Sequence, residues 1–371
     1  MKRPGGAAIV HDYFVQDGGA ERCAVELADL LPQALISTTF FHDERFGERI
    51  DPRRVRTWPL QRLIGPTERF RAMLPLYPLW FSAVHEQSGL VISSTSGFAH
   101  GVRTRRDALH VAYVHTPMRF GWDLDLYLEG SSFSPPARLA GRALRPLLQR
   151  WDRDAAARPD ILVANSLTIQ ERIARLWGRS AEIIHPPVDT AEFPLSDRDD
   201  GFLLVASRML AYRRLDLAVK GATALRRDLV VVGDGPERRR LRAMAGPTVR
   251  FLGHVPRWQL QDLVARSHAY ILPGLEDFGI AAVEAMAAGK PVIAFRGGGA
   301  TETVQDGVTG VFFDRPDARS LAEAVERLDS TTFDGPTVRQ GALRFDVAVF
   351  RAKWRALLQR EGVDPHLYSA P

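Results

Sequence analysis

The chain has 371 residues, 45% hydrophobic and 25% charged, a globular mix whose length points to two domains at roughly 150 residues each. No apolar run approaches the ~20 residues needed to cross a bilayer. The apolar stretch after Met1-Lys2-Arg3-Pro4 stops at Val10, too short for a signal-peptide core, so the expectation is a cytoplasmic protein. Cys23 is the single cysteine, which excludes an internal disulfide and a thiolate-clustered metal site. Net charge is +5, but lysine occurs only at 2, 220, 290 and 353, so arginine supplies nearly all of the 49 basic residues. With arginine this common, one arginine alone is weak evidence for a phosphate site. Residues 45–71 hold eight arginines against three carboxylates, matching the whole chain's excess.

Along the chain, short apolar runs alternate with segments of helical period, the pattern of parallel βαβ units. Ala7–Val10 reads as a buried strand leading through His11-Asp12-Tyr13 and a Gly18-Gly19 turn to a helix with apolar face Ala24, Leu27, Ala28 and Leu31. Leu90–Ser93, His110–Val114 and Ile161–Ala164 are further strands, and Ile183-Ile184 is a short last one. After a polar break at 196–200 the pattern restarts with Phe202–Ala206, Leu229–Val232, Val249–Leu252, Ala269–Leu272 and Val292–Phe295. Each half is long enough for its own doubly wound sheet, and ligands of such sheets bind at the carboxyl ends of the strands. The tail from Asp346 to Glu361 has helical spacing; it either closes the second domain or reaches back to brace the first.

Several motifs carry little. Val231-Val232-Gly233-Asp234-Gly235-Pro236-Glu237-Arg238 resembles a dinucleotide fingerprint, but Arg238 replaces the third glycine, so a plain strand-to-helix turn is the better reading. Asp-x-Asp occurs at 123/125, 152/154 and 197/199, and the histidines show no i, i+4 pair; no metal site is expected.

One constellation stands above this background. Leu272-Pro273-Gly274-Leu275-Glu276-Asp277-Phe278-Gly279-Ile280 ends a strand, turns and opens a helix that carries Glu284 two turns in. An open helix N-terminus offers N–H groups and partial positive charge to an anion. A carboxylate on either side suits a phosphate ligand with hydroxyls at both ends. Arg208 and Arg213, after the strand Phe202–Ala206, can neutralise a diphosphate or simply be solvated. Arg296-Gly297-Gly298-Gly299 either lets backbone approach a ligand or only makes a tight turn. In the first half, the loop His115-Thr116-Pro117-Met118-Arg119-Phe120-Gly121-Trp122-Asp123 gathers polar groups at a strand's carboxyl end, as ligand-binding loops do.

These stretches together resemble the retaining, nucleotide-sugar-dependent glycosyltransferases of family 4, and most closely bacterial mannosyltransferases of polysaccharide assembly. The resemblance runs from residue 10 to about 310 through VHDYFVQDGGAER, VISSTSGFAHGV, VAYVHTPMRFGWD, ILVANSLTIQERI, IIHPPVD, SRMLAYRRLDLAV, VVGDGPE, LGHVP and LPGLEDFGIAAVEAMAAGKPVIAFRGGGATETV. It implies an α/β GT-B fold: two Rossmann-like, doubly wound domains facing across a cleft. The acceptor-side domain is then expected over 1–195 and the nucleotide-sugar domain over 196–345, with 346–371 a C-terminal helix packing back on the first.

By the same resemblance, Glu276 contacts the donor sugar's hydroxyls and Glu284 the ribose, while Arg208 and Arg213 hold the phosphates. Arg213 stands where the family usually has lysine, which keeps the charge but changes its shape. Gly18 and Gly19 line the phosphates from the other domain, and His115 sits beside the sugar. Phe278, Gly279 and Ile280 present main-chain groups. The family uses no metal and no cofactor beyond its donor substrate, here GDP-mannose by likeness, with UDP- or dTDP-sugars as the alternative. A non-catalytic sugar-nucleotide-binding scaffold, and an epimerase or hydrolase of the same fold, are the other readings.

The acceptor is approached through the basic segment, where Arg53-Arg54-Val55-Arg56-Thr57-Trp58 leads into Leu60, Phe70, Leu74, Tyr77, Trp80 and Phe81. This is either an element lying on anionic lipid or a core helix with a solvated basic face. The first alternative makes the protein peripheral on the inner membrane face, acting on a glycan or polyprenyl-diphosphate-linked acceptor. Nucleic acid is not an expected partner, because no binding motif is present.

Overall fold

The computed structural model describes residues 5–64, 73–125 and 135–363. By its contacts the chain divides into two compact units, one formed by Met1–Leu124, Pro135–Pro187 and Ala348–Pro371 and the other built on Val188–Val347.

The N-terminal unit is a parallel sheet of seven strands: β1 (Ala7–His11), β2 (Leu35–Thr38), β3 (Val55–Thr57), β4 (Leu90–Thr95), β5 (Leu109–Val114), β6 (Ile161–Ala164) and β7 (Glu182–Ile183), in spatial order 3-2-1-4-5-6-7. Ile9 of β1 stands between Ile36 and Ile92. All five β1 residues are buried, as are all six of β4 and of β5. A sheet covered on both faces requires such continuous apolar runs, which is why the sequence exposes them. The helices that bear on function are α1 (Gly19–Leu30), α2 (Tyr77–Ala83), α3 (Pro135–Ala156) and α4 (Leu167–Trp177). Ser166 caps α4 by accepting from the Ile169 N–H, and Gly178 ends it in the left-handed region.

The second unit is a six-stranded parallel sheet of β8 (Leu203–Ala206), β9 (Leu229–Val232), β10 (Val249–Gly253), β11 (Ala269–Leu272), β12 (Val292–Phe295) and β13 (Gly310–Phe313), in order 10-9-8-11-12-13. Its relevant helices are α5 (Leu215–Leu225), α6 (Arg257–Arg266) and α7 (Ile280–Ala287). In both sheets the strand order reverses beside the first strand, between β1 and β4 and between β8 and β11. Loops leaving a sheet at such a switch point diverge and leave room for a ligand.

The structure differs from the expectation at the domain boundary. The units divide at Pro187–Val188 rather than at 195/196. Val188 and Phe193 are already in the second unit's core, and Val188 exchanges backbone hydrogen bonds with Phe345 and Val347. The polar break at 196–200 is a tied surface loop, with Asp199 on His268 and Asp200 on Arg266. The last helix, α8 (Val347–Arg360), buries Phe350, Trp354, Leu357 and Leu358 in the N-terminal unit's core with Tyr113 and Cys23. Arg351 binds Glu26 at 2.6 Å and Asp29 at 3.2 Å, fixing its register on α1.

The basic segment is largely a packed element. Tyr77 and Phe81 are fully buried, and Trp58 stacks on Trp80 at 5.6 Å. Arg54 donates to the Ala34 and Leu31 carbonyls and Arg45 to that of Val15, so these arginines brace loops. Only Leu76 and Leu79 of this segment's described large apolar residues beyond Leu60 stand exposed. Arg69, Phe70 and Arg71 lie outside the described residues.

Candidate functional site

The second unit brings together the loops that follow β8, β9, β11 and β12. Glycines make this approach possible. A Cβ on Gly233, whose φ is +117°, would collide with the Ser207 carbonyl oxygen; one on Gly274 would sit 2.7 Å from that of Arg213. Both neighbours are backbone and cannot swing aside. The Gly233-Asp234-Gly235 turn therefore serves as the bed of the arginine loop: Met209 N–H donates to Asp234 O at 2.8 Å and Ser207 N–H to Val232 O at 3.0 Å. The β12 glycine loop does the same for the glutamate loop. Gly299 N–H donates to Glu276 O at 2.8 Å, and Gly298 bridges Glu276. Arg296 itself points to Asp306 and Asp314 and takes no part.

On this bed Arg213 forms an ion pair with Glu276, with about a fifth and a seventh of their side chains exposed. Arg213 also lies over the Tyr212 ring at 5.2 Å. Arg208, earlier in the same loop, is exposed. Phe278 is buried against Phe345, and Gly279 takes φ +94° to start α7. A side chain at that φ is strained, so glycine lets the chain turn sharply from Phe278 into Ile280 and open the helix beside Glu276. Glu284, in α7, is buried, and its carboxylate is met at 2.9 Å by Arg257 of α6. Arg257 in turn holds Glu192 at 2.5 Å and covers the Phe193 ring at 4.7 Å. Each of the two glutamates thus has its own arginine. Arg257 is absent from the expected site; its partner lies 27 positions away, and no motif flags it.

Gly18, Gly19 and His115 lie in the N-terminal unit. Gly18 caps α1, and a Cβ there would approach the buried Glu21 carboxylate at 2.6 Å. The α1 N-terminus therefore already carries a carboxylate of its own chain. An anion that binds the Gly18–Gly19 backbone does so beside Glu21.

The β1–β4 switch point of this unit is closed by Asp12. Its buried carboxylate accepts from the N–H groups of Ser96 at 2.5 Å, Phe98 at 3.1 Å and Ala99 at 2.6 Å. Burial pushes its pKa up to about 6, against the pull of those hydrogen bonds. The clamped turn positions His115, whose N–H donates to Thr95 O at 2.8 Å and whose carbonyl accepts from Asn165 at 3.1 Å.

A polar chain runs from β1 to His115. His11 Nδ1 lies 3.0 Å from the Ser94 carbonyl, an acceptor only, so that nitrogen carries a proton. The Ser94 hydroxyl lies 3.1 Å from the same Nδ1 and 2.8 Å from His115 Nε2, so it links the two rings. Burial lowers His11 to about 4 and His115 to about 3, the latter helped by charge on His11, so both are neutral at pH 7.

One aspartate of each Asp-x-Asp pair has a structural partner. Asp123 binds Arg172 at 2.6 Å; Asp152 accepts the indole N–H groups of Trp122 and Trp177 at 2.7 and 2.6 Å; Asp199 holds His268.

Comparison with known proteins places this architecture. Residues 17–192 match "Glycosyltransferase Family 4" and residues 190–331 match "Glycosyl transferases group 1". A D-inositol 3-phosphate glycosyltransferase of Nocardioides is 28% identical over 244 residues, 55% of this chain and 51% of the relative. A GDP-mannose-dependent alpha-(1-6)-phosphatidylinositol monomannoside mannosyltransferase of Mycolicibacterium smegmatis is 31% identical over 230 residues, 53% of this chain and 57% of the relative. These alignments thus span between half and three-fifths of each relative. Alr3699/HepE of Anabaena, solved in complex with UDP, superposes with a TM-score of 0.69 at 20% identity over 96% of this chain and 100% of that one. Two consecutive family matches and the doubly wound sheets lead to one assignment: the chain belongs to the family-4 glycosyltransferases and has the GT-B fold.

Proposed function

We propose that the protein is a nucleotide-sugar-dependent hexosyltransferase that transfers mannose from GDP-mannose, with retention and without a metal, to a hydroxyl of a glycan or lipid-linked acceptor. The observation that carries this reading is the arginine–glutamate arrangement at the β8–β11 switch point, where Arg213, Glu276 and the start of α7 share one bed of loops. The reaction places negative charge on the departing nucleoside diphosphate. Arg208, Arg213 and the N–H groups opening α7 supply fixed positive dipoles for it, so a metal is not needed for that task. Glu276, held by Arg213, accepts hydrogen bonds from sugar hydroxyls; Glu284, held by Arg257, accepts from the ribose. Phe278, Gly279 and Ile280 offer main-chain groups, Gly18 and Gly19 offer backbone N–H groups, and His115 stands beside the sugar.

Retention follows in this reading from attack on the face the leaving group departs from, with a phosphate oxygen taking the acceptor's proton. No residue is then required as a base. The mannosyltransferase among the relatives supports GDP-mannose as donor, whereas the HepE complex with UDP supports the uridine alternative. We place the enzyme at the inner membrane face, working on a polyprenyl-diphosphate-linked glycan.

The experiment is a thermal-shift and turnover screen of GDP-, UDP- and dTDP-sugars with lipid-linked acceptors, the product's anomeric configuration being read by NMR, with and without EDTA. GDP-mannose should give the largest shift and an α-linked product in the presence of chelator. A larger shift with UDP-sugars transfers the donor assignment, and binding of every donor without turnover favours the non-catalytic scaffold.

A further inference from the structure

Exposed apolar side chains on the N-terminal unit extend beyond the basic segment. The helix α3 exposes Leu139 at 69% and Leu147 at 64%, and its neighbour α2 exposes Leu79 at 70%. On a helix, positions 139, 143 and 147 lie one turn apart on one face. Ala143 and Pro146 are exposed beside the two leucines. Along that face stand Arg142 and Arg150, both exposed, the latter side chain at 82%.

Charge sorts the same way. From Pro135 to Trp151 the helix carries four arginines and no carboxylate. Its two aspartates come at the end: Asp152 turns inward to the two indoles, and Asp154 lies 3.9 Å from Arg150. The opposite face is the packed one, with Gly141, Leu148, Asp152 and Ala155 buried. Trp151 donates to Ser82 of α2 at 2.9 Å, so the two leucine-bearing helices are fastened side by side.

The geometry points to the outer face of α3, with Leu79 of α2 at its flank, as the surface by which this chain lies on an anionic lipid leaflet. The inference rests on the membrane reading proposed above, and it moves the contact from the basic segment to α3. An apolar strip bordered by arginines is matched to such a leaflet on two counts: leucines enter the headgroup–acyl boundary while guanidinium groups stay with the phosphates. A neutral protein partner would use the leucines but offer nothing to the excess positive charge of this face, four arginines to no carboxylate between Pro135 and Trp151. Arg142 and Arg150 each strengthen binding to an anionic surface by about fivefold, and salt weakens that part.

The test is co-sedimentation of the full-length protein at low salt with vesicles of phosphatidylcholine alone or with about one-third phosphatidylglycerol. Four proteins are compared: wild type, Arg142→Gln/Arg150→Gln, Leu139→Gln/Leu147→Gln, and Trp258→Ser, an exposed aromatic of the other unit. Melting temperature verifies that each is folded. Wild type and Trp258→Ser should bind the anionic vesicles only, and the arginine pair should lose about 25-fold in affinity. The leucine pair should lose binding to a similar degree. If wild type binds and both double variants bind equally well, the α3 assignment is overturned and the membrane reading survives. If wild type does not bind at all, both fall. Sedimentation velocity without vesicles gives the last outcome: a wild-type dimer that Leu139→Gln/Leu147→Gln converts to monomer makes this face a self-association surface instead.

Discussion

Replacing Asp12 tests how the N-terminal switch point holds its shape. The side chain is 2% exposed and its two oxygens divide the work: Oδ2 accepts from Ser96, Oδ1 from Phe98 and Ala99. Asp12→Ala removes all three acceptors and leaves three N–H groups in a site shaped to exclude water. At about 1–3 kcal/mol for each unsatisfied donor, and allowing the turn to relax toward solvent, the loss should reach about 3–6 kcal/mol. Asp12→Asn keeps the Oδ1 pair but presents an amide to the Ser96 N–H, so its loss should be about 1–3 kcal/mol. Urea unfolding followed by circular dichroism measures both. Because Ser94 and Thr95, at the end of β4 that leads into this turn, hold His115, turnover should fall further than the folded fraction does, on the order of a hundredfold for a displacement near 1 Å. If Asp12→Ala unfolds within 0.5 kcal/mol of wild type, at about the scatter of surface substitutions, or Asp12→Asn proves the worse of the two, the clamp has been misread.

Other expectations follow from the same contacts. Gly274→Ala puts a methyl group 2.7 Å from the Arg213 carbonyl oxygen; it should cost about 1–3 kcal/mol and most of the turnover. Gly335→Ala, whose nearest atom is 3.5 Å away, should fall within about 0.5 kcal/mol of wild type in the same melt. Arg257→Gln leaves the buried Glu284 without its cation; with Arg257 about one-third exposed, the loss should be about 2 kcal/mol. Steady-state kinetics should put its effect on the donor KM, about tenfold, with kcat nearly kept. Stability should fall on acidification. His11, His110 and His115 are held down to about 4, 3 and 3 by burial, so below pH 6.5 the unfolded chain binds protons that the folded chain refuses. Each contributes about 1.4 kcal/mol per pH unit, while Asp12, raised to about 6, opposes them by one such increment down to its unfolded value near 3.8. Unfolding free energies from urea melts between pH 6 and 4 should therefore drop by about 3 kcal/mol per unit, and a flat profile contradicts the assignment.

Much of the fold could be read from the sequence because a doubly wound sheet buries both faces of its central strands. Leu229-Val230-Val231-Val232 and Ala269-Tyr270-Ile271-Leu272 have no other reading. Strand β2 is hidden because Ser37 and Thr38 supply half of it, and they are buried polar residues; Ser37 donates to Glu86 at 2.5 Å. The short edge strand β3 holds three residues with Arg56 outward, and β13 starts at a glycine packed on Val292. Neither is a pattern of any length. At the site, the glutamate loop and the arginine loop are legible one by one, but not that Arg213 and Glu276 pair. Asp12 and Ser96 are 84 positions apart and His11 and Ser94 are 83; such partners are set by strand order, which no local spacing encodes. The two readings of the basic segment cannot be separated locally for a related reason: Tyr77 packs against Phe40, Phe81 and Phe98, contacts that only the folded unit supplies.

The account stands on Arg208 and Arg213 gripping the diphosphate of a sugar nucleotide. Isothermal titration calorimetry of GDP and of guanosine, with wild type, Arg208→Ala and Arg213→Ala, measures this directly. Each arginine should contribute a charge-assisted bond, so each variant should lose about 10- to 100-fold in affinity for GDP and little for guanosine. If both variants keep the wild-type preference for GDP over guanosine, the phosphates bind elsewhere and the site described here is not the donor site.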